Sequence, residues 1–284
     1  MIEARPSRTA LRVAMHRAAH QIFDRPKVLD DPIAIGIIGP EAAAELGAKD
    51  SRHREHVARN LRAFMAVRSR YAEDELAAAM ARGATQYVIL GAGLDTFAYR
   101  NPYCDEALRV FEVDYPATQE WKRGQLAAAG IPIPASATYA PVDFERQTLS
   151  EGLRAAGFDS LRATFFSWLG VTMYLTEDAV MSTFSFIVSM PRGGGVVFDY
   201  AVDRSSLDLE GQVALDALAA RVAAAGEPFR TFFEPSTLAE QLRRMGFRSV
   251  EDLTAEEINS RYFRDRDDGL SVAGRIGRLM SATI

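Results

Sequence analysis

The 284-residue chain contains a single cysteine, Cys104. One thiol excludes an internal disulfide and a metal cluster built from several thiolates, and it is typical of a protein kept in a reducing compartment. No apolar run reaches the ~18 residues that a membrane-spanning helix needs, and the N-terminus lacks the basic-then-apolar pattern of a secretion signal. We therefore expect a cytoplasmic protein without a membrane partner.

An excess of positive charge is also missing. The chain has 33 Lys and Arg residues against 38 Asp and Glu, a net charge of -5, so it offers no electrostatic basis for binding nucleic acid. Hydrophobic residues make up 48% of the chain, which is enough for one large core. The composition indicates a globular protein with no nucleic-acid partner.

A third glycine is missing from what is otherwise the pattern of a dinucleotide-binding turn. The apolar run 87–90 ends in Gly91-Ala92-Gly93, a second run ends in Asp114, and position 96 is threonine. In a parallel sheet the turn and the carboxylate lie at one edge, where the main chain can approach a ligand and the carboxylate can bind ribose hydroxyls. Without the glycine that a pyrophosphate needs, the pattern favours a nucleoside cofactor such as S-adenosylmethionine.

Periodicity divides the chain into a helical part and an alternating part. Residues 1–82 show helical spacing and are expected to form a cap or lid. Residues 83–284 alternate between strands and helices, which favours an α/β fold with a mostly parallel, seven-stranded sheet covered on both faces. The segment near 203–235 is a candidate second lid, and we expect one compact unit. The predicted strands are 87–90, 108–113, 137–142, 163–168, 195–200, 248–253 and 274–282, with helices at 117–129, 149–156, 177–190, 209–225 and 236–245.

Three aspartates follow predicted strands, and each allows two interpretations. Asp95 could accept a hydrogen bond from the cofactor ammonium or cap the next helix. Asp114 could bind the ribose or, just before Pro116, favour the start of a helix. Asp143 could contact the adenine or serve as an ordinary turn residue. The register of Asp114 with Gly91 favours ribose binding.

Two arginines compete for the cofactor carboxylate. Arg68 shares an apolar helix face with Phe64 and Met65, whereas Arg70 is rotated by about 200° from Arg68. A guanidinium on an apolar face needs an anionic partner, unless its head reaches solvent. We favour Arg68, and we expect the helix to end near these residues.

The motifs together resemble the leucine carboxyl methyltransferase-like family of class I S-adenosylmethionine-dependent methyltransferases, and in particular bacterial O-methyltransferases of polyketide and other secondary metabolism. The matching segments are 67–71, 88–96, 111–116, 142–144 and 168–175. The resemblance implies a Rossmann-like class I methyltransferase fold with an N-terminal helical lid. It also implies S-adenosylmethionine as the cofactor, with contacts from Arg68 or Arg70, Gly91, Asp114, and Asp143 with Phe144. We also expect the following residues to bind the cofactor: Ala92, Gly93, Asp95, Tyr115, Trp168 and Leu169.

The chain departs from the family pattern at two positions. Members of the family often carry Ala-Glu where this chain has Trp168-Leu169, and that glutamate contacts the cofactor. The resemblance therefore implies apolar packing here, with Trp168 helping to wall the site. Eukaryotic protein-methylating members have a lysine where this chain has Asp30. Both differences favour a small-molecule acceptor.

Methyl transfer from a sulfonium needs alignment and desolvation more than proton transfer. A carboxylate acceptor, which we favour, requires no base, whereas a phenol or an alcohol would gain from one. Tyr174 is placed by the resemblance at the acceptor pocket, with a core aromatic as its alternative role. His16 and His20 share a helix face and could also line that pocket; no metal-binding motif accompanies them.

Two other functions stay open at this point. The glycine turn and Asp114 also suit a nicotinamide-dependent, NAD(P)-linked oxidoreductase, although no Tyr-x-x-x-Lys pair is evident. A methyltransferase fold that binds the cofactor without transferring methyl would explain the lack of a convincing base. The sequence names neither the acceptor nor the oligomeric state, monomer or homodimer.

Overall fold

The computed structural model describes residues 8–48, 55–103, 108–143, 147–224 and 226–284. Its strands are β1 Gln86–Leu90, β2 Arg109–Asp114, β3 Ala137–Pro141, β4 Thr164–Trp168, β5 Gly195–Ala201, β6 Ser249–Leu253 and β7 Gly277–Thr283. They form one seven-stranded sheet in the order β3-β2-β1-β4-β5-β7-β6. The predicted α/β fold of the class I methyltransferase type is confirmed.

The order in which the chain adds strands reverses at the centre of the sheet, between β1 and β4. Strands β1 to β5 pair in parallel, and β7 lies antiparallel between β5 and β6. Every residue of β1 and β4 is buried, which explains why both read as largely apolar runs. The chain continues from β1 to β2 on one side and later returns to β4 on the other. Sheets of this kind bind ligands in the crevice at this switch point, beyond the carboxyl ends of the strands.

Ten helices are seen in the described residues. They are α1 Arg8–Phe23, α2 Ala34–Ile37, α3 Gly39–Ala48, α4 Glu55–Ala81, α5 Pro116–Ala128, α6 Leu149–Ala155, α7 Glu177–Val188, α8 Leu209–Ala224, α9 Pro235–Met245 and α10 Ala255–Tyr262. Proline begins α5 and α9, where the missing N–H would have no helical partner. None of these helices is both long and apolar enough to cross a membrane.

The N-terminal helices lie beside the carboxyl ends of the strands. Helix α1 packs against α4, and α4 in turn packs against β4 and β5. The prediction that this second long helix ends near Arg68 and Arg70 was wrong, because α4 continues to Ala81. Both arginines therefore lie in the middle of a regular helix, where their directions are set by its turn.

The predicted elements differ from the observed ones mainly at their ends. Strand β7 begins at Gly277 rather than at residue 274. Helix α10 was not predicted; it is short and polar, and it begins with a capping box in which Thr254 and Glu257 satisfy each other's backbone N–H. The span 203–235 contains α8, with Leu215 as its buried residue.

Candidate active site

The glycine turn after β1 is held by neighbouring protein atoms. Gly91 and Gly93 have φ values of +66° and +46°, which favour glycine. A Cβ on Gly91 would lie 2.4 Å from Cγ2 of Val171, and one on Gly93 would lie 3.1 Å from Cβ of Ala10. Between them, Ala92 is buried and donates its N–H to the Val113 carbonyl at 3.0 Å. Packing by the turn after β4 and by α1 therefore explains both glycines.

Asp114 joins this turn to the end of β2. Its Oδ2 accepts the Gly93 N–H at 2.6 Å, and its Oδ1 accepts the N–H of Tyr115, the N-cap residue of α5, at 2.7 Å. Burial raises the pKa of Asp114, although these backbone donors oppose the shift. The side chain of Thr118 is a third hydrogen-bond partner of this carboxylate. A carboxylate has about four lone-pair sites, so it can accept a further hydrogen bond. The turn-stabilising role and the ribose-binding role are therefore compatible.

The other two aspartates lie at the same edge of the sheet. Oδ1 of Asp95 accepts the Phe97 N–H at 2.8 Å and so caps the short 3-10 turn Phe97–Tyr99. Asp143 is half-buried just after β3, where its carbonyl accepts the Gln147 N–H at 3.0 Å. Phe144, which the resemblance implies as a cofactor contact, lies outside the described residues.

Arg68 and Arg70 lie on opposite sides of α4. Arg68 is 5% exposed and donates through Nη1 to Oδ2 of Asp199 at 2.7 Å. It covers Gly170, whose missing Cβ would lie 3.0 Å from Nη2, and Gly170 precedes the valine that packs on Gly91. The side chain of Arg70 is 48% exposed and pairs with Asp74 one turn along the helix. Of these two arginines, Arg68 is therefore the one near the glycine turn.

Trp168 and Leu169 pack into the cores on the two faces of the sheet. The indole is 3% exposed and packs edge-to-face on Phe184 of α7, with ring centroids 5.5 Å apart. Leu169 packs against the core on the α4 side of the sheet. Trp168 therefore belongs to the core between β4 and α7, because the alternation along the strand turns it to that face.

Asp199 is a site carboxylate that the sequence interpretation missed. It lies in β5 with 2% exposure, and its Oδ1 accepts the Gly170 N–H at 2.5 Å while Oδ2 binds Arg68. An acid inside the fully buried strand Gly195–Ala201 was the available signal, because a buried charge in such a strand requires a partner.

The turn Thr172–Tyr174, which follows β4, is covered by the segment after α8. We name residues 226–233 the strap. Tyr174 packs its ring on Phe229 of the strap, with centroids 5.4 Å apart, and its hydroxyl is hydrogen-bonded to Thr9 of α1. Thr9 also donates to Glu227 of the strap. Burial, with Glu227 and Asp199 nearby, raises the pKa of Tyr174 to about 12. The phenol therefore stays protonated at neutral pH.

The two candidate histidines occupy different environments. Nε2 of His20 accepts the N–H groups of Val28 and Leu29, so Nδ1 carries the proton and donates to Asp24 at 2.8 Å. Both nitrogens of this fully buried ring are engaged in hydrogen bonds within the protein. His16 is half-buried, one turn closer to Thr9 on the same helix.

The protonation state of His16 follows from its surroundings. Burial lowers its pKa to about 4, and the positive charges of Arg62 and Arg68 act in the same direction. The imidazole is therefore neutral at physiological pH and can accept a proton. Arg68, whose charge reaches His16, also borders Gly170.

Comparisons with known proteins show the family of this chain. The family model of leucine carboxyl methyltransferase matches residues 10–188. YktD of Bacillus subtilis, which carries the name of an S-adenosyl-L-methionine-dependent methyltransferase, is 34% identical, and the match covers 93% of this chain and 94% of YktD. A Saccharopolyspora erythraea protein of the same naming is 32% identical over 70% of this chain and 69% of its own length.

Two solved structures share the fold at 16% sequence identity. One is from Thermobifida fusca and is described as a methyltransferase; its TM-score is 0.56, with 99% of this chain and 96% of that chain covered. The other is a DUF574 family protein from Streptomyces avermitilis, with a TM-score of 0.55 and coverage of 100% and 99%. The family model spans more than half of the chain and the Bacillus relative nearly all of it, so this protein belongs to the leucine carboxyl methyltransferase family and is an S-adenosylmethionine-dependent methyltransferase.

Proposed function

We propose that the protein methylates an oxygen of a small molecule, a carboxylate or a phenolic hydroxyl of a secondary metabolite. The observation that carries the proposal is the attachment of the strap across the turn Thr172–Tyr174. The Arg230 N–H donates to the Met173 carbonyl at 2.7 Å, and the Thr231 hydroxyl donates to the Leu175 carbonyl at 2.6 Å. A covered site suits a metabolite and excludes the water that would compete with methyl transfer.

The residues at the strand ends fit the groups of S-adenosylmethionine. Asp114 is assigned to the ribose hydroxyls, because its carboxylate keeps a lone-pair site beyond its hydrogen bonds to Gly93, Tyr115 and Thr118. The main chain of 91–93 lies beside it. Asp143, after the next strand, is assigned to the adenine. Arg68 is assigned to the carboxylate of the amino-acid portion, since its buried guanidinium lies against Gly170, next to the valine that packs on Gly91. Arg17, which is also buried, donates to the Leu94 carbonyl and lies 3.8 Å from Asp95.

When bound, the cofactor supplies a sulfonium methyl group, and the protein supplies alignment. A carboxylate acceptor is already nucleophilic, and the phenol of Tyr174 can donate a hydrogen bond to orient it. A hydroxyl acceptor must lose a proton, and the neutral His16 can take it. The side chains on the acceptor side therefore serve either oxygen nucleophile.

An acceptor screen tests the proposal. Wild-type protein and methyl-labelled S-adenosylmethionine are incubated with a panel of carboxylic acids, phenols and amines, and the products are located by mass spectrometry. We expect label on oxygen, as a methyl ester or a methyl ether. Label on nitrogen or carbon contradicts the proposal. Tight binding of S-adenosylhomocysteine with no transfer to any member indicates a protein that binds the cofactor without methylating.

Replacing Asp114 by alanine is expected to weaken S-adenosylhomocysteine binding by about 1–3 kcal/mol, because a charged acceptor for hydroxyls is lost. Isothermal titration measures the change. Since the pKa of Asp114 is raised, wild-type affinity should fall as the pH decreases through that raised value, and the variant should lack this dependence.

Asp159→Ala is the matched control. Asp159 also accepts a backbone N–H, that of Leu161 at 2.9 Å, but it precedes β4 and so lies at the opposite edge of the sheet. Both variants lose a turn-stabilising hydrogen bond. If both variants change cofactor affinity equally, Asp114 stabilises its turn and does not bind the cofactor.

A further inference from the structure

The ion pair of Arg68 and Asp199 compensates a charge that the fold buries. Arg68 is 5% exposed on α4, and Asp199 is 2% exposed on β5, 131 residues later. A buried guanidinium without a counter-charge would be strongly destabilising, so the pair must be kept or replaced together. The carboxylate is therefore part of what allows an arginine at this position.

Asp199 is itself held in place from two sides. Its Oδ1 accepts the Gly170 N–H, and its own backbone carbonyl accepts the Thr172 hydroxyl at 2.7 Å. Strand β5 and the turn after β4 thus fix the carboxylate, and the carboxylate fixes one nitrogen of the guanidinium. Nη2 then lies against Gly170, whose φ of +74° and missing Cβ leave the necessary room.

The guanidinium keeps hydrogen-bonding capacity beyond this pair. Among the described residues, its hydrogen bond is the one from Nη1 to Asp199, so Nη2 and Nε have no protein acceptor there. Neither atom belongs to the buried nitrogens and oxygens that lack a partner, which means that both reach accessible space. A planar guanidinium whose Nη2 and Nε groups have N–H donors to spare can donate two parallel hydrogen bonds to the two oxygens of a carboxylate.

We propose that Asp199 is a positioning residue for the cofactor. It anchors Nη1 so that the other N–H groups of Arg68 are directed at the amino-acid carboxylate of S-adenosylmethionine, while Asp199 itself makes no contact with the cofactor. The inference rests on the role proposed above for Arg68. It predicts that the charge at 199 controls selectivity for ligands that carry this carboxylate.

Two ligands test the inference. S-Adenosylhomocysteine has the carboxylate, and S-adenosyl-3-thiopropylamine lacks it but keeps the adenosine, the sulfur and the ammonium. Asp199→Asn retains an acceptor for the Gly170 N–H and removes the charge. By titration calorimetry we expect about a 10- to 100-fold loss of affinity for the first ligand, as for a weakened charged hydrogen bond, and less than about a threefold change for the second.

Each outcome decides the question. Equal losses for both ligands mean that Asp199 binds the ammonium directly, and no loss for either means that it only stabilises the fold; both overturn the inference. Arg68→Met must reduce the same selectivity between the two ligands. If it does not, Arg68 does not bind the cofactor carboxylate, and the proposed role of Arg68 is refuted independently of Asp199. Asp252→Asn is the control, because Asp252 is likewise paired with an arginine, Arg278 at 2.9 Å, on the edge strand β6.

A second variant covers poor folding of Asp199→Asn. Asp199→Glu keeps the negative charge on a side chain one methylene group longer, so it retains a counter-charge for Arg68. We expect this variant to keep the selectivity to within about tenfold of wild type. A variant that binds S-adenosyl-3-thiopropylamine as wild type does but loses the selectivity contradicts the inference.

Discussion

Arg68→Met should reduce the affinity for S-adenosylhomocysteine by about 2–5 kcal/mol, the cost of truncating one partner of a buried charged contact. The guanidinium would no longer meet the cofactor carboxylate, and Asp199 would stay buried with the Gly170 N–H as its remaining side-chain contact. The free energy of unfolding should also fall, by about 3–5 kcal/mol, because one charge of a buried pair is left alone. Calorimetric titration and thermal unfolding measure the two effects separately.

Arg70→Met provides the control on the same helix, two residues away. Its side chain is 48% exposed and its partner Asp74 is one turn away, so the loss should be about 0–1 kcal/mol in stability and undetectable in cofactor affinity. The opposite result, with Arg70 needed for binding and Arg68 dispensable, would refute the assignment of the carboxylate site.

His16→Gln should slow methyl transfer to a phenolic or alcoholic acceptor by about 100-fold, the usual contribution of a positioned general base. Glutamine keeps hydrogen-bonding capacity and suits a helix interior. Transfer to a carboxylate acceptor needs no base, so its kcat should stay within about twofold. Because the pKa of His16 is lowered to about 4, the base is available above that pH and is lost as the pH falls through it.

Steady-state kinetics with one acceptor of each class measures this difference. Affinity for S-adenosylhomocysteine reports on folding of the variant and should not change. If both acceptor classes slow equally, His16 shapes the pocket without moving a proton. An unchanged rate with the phenol assigns the base to another group or removes the need for one.

Strands and most helices were predictable because each carries a local signal. The buried strands read as apolar runs, and proline marks the starts of α5 and α9. Helix α10 also had a local signal, the capping-box pair of Thr254 and Glu257 three residues later. The helix was missed because it is short and polar, and with Ile258 as its buried residue it shows no helical periodicity of apolar residues. The end of α4 was misplaced because two arginines on one helix suggested a boundary.

Long-range pairs were not predictable from one sequence. The choice between Arg68 and Arg70 depends on which side of α4 meets the sheet, and the partner Asp199 is 131 residues away. His16 and His20 have the same spacing on the helix as any metal-binding or catalytic pair. They differ because the loop after α1 brings the Val28 N–H to His20.

The glycine turn has a consequence for mutational scanning of this family. The side chain of Val171 occupies the space that a Cβ on Gly91 would need, at 2.4 Å, and Ala10 limits Gly93 in the same way. The methyl group of an alanine at either position would crowd protein atoms and strain the turn. A loss of function in such a variant would therefore reflect a distorted turn and would not show that the glycine contacts a ligand. Tolerance to substitution at this motif therefore measures how the turn packs. Evidence for the cofactor has to come from Asp114 and Arg68, whose side chains keep hydrogen-bonding capacity beyond their contacts within the protein.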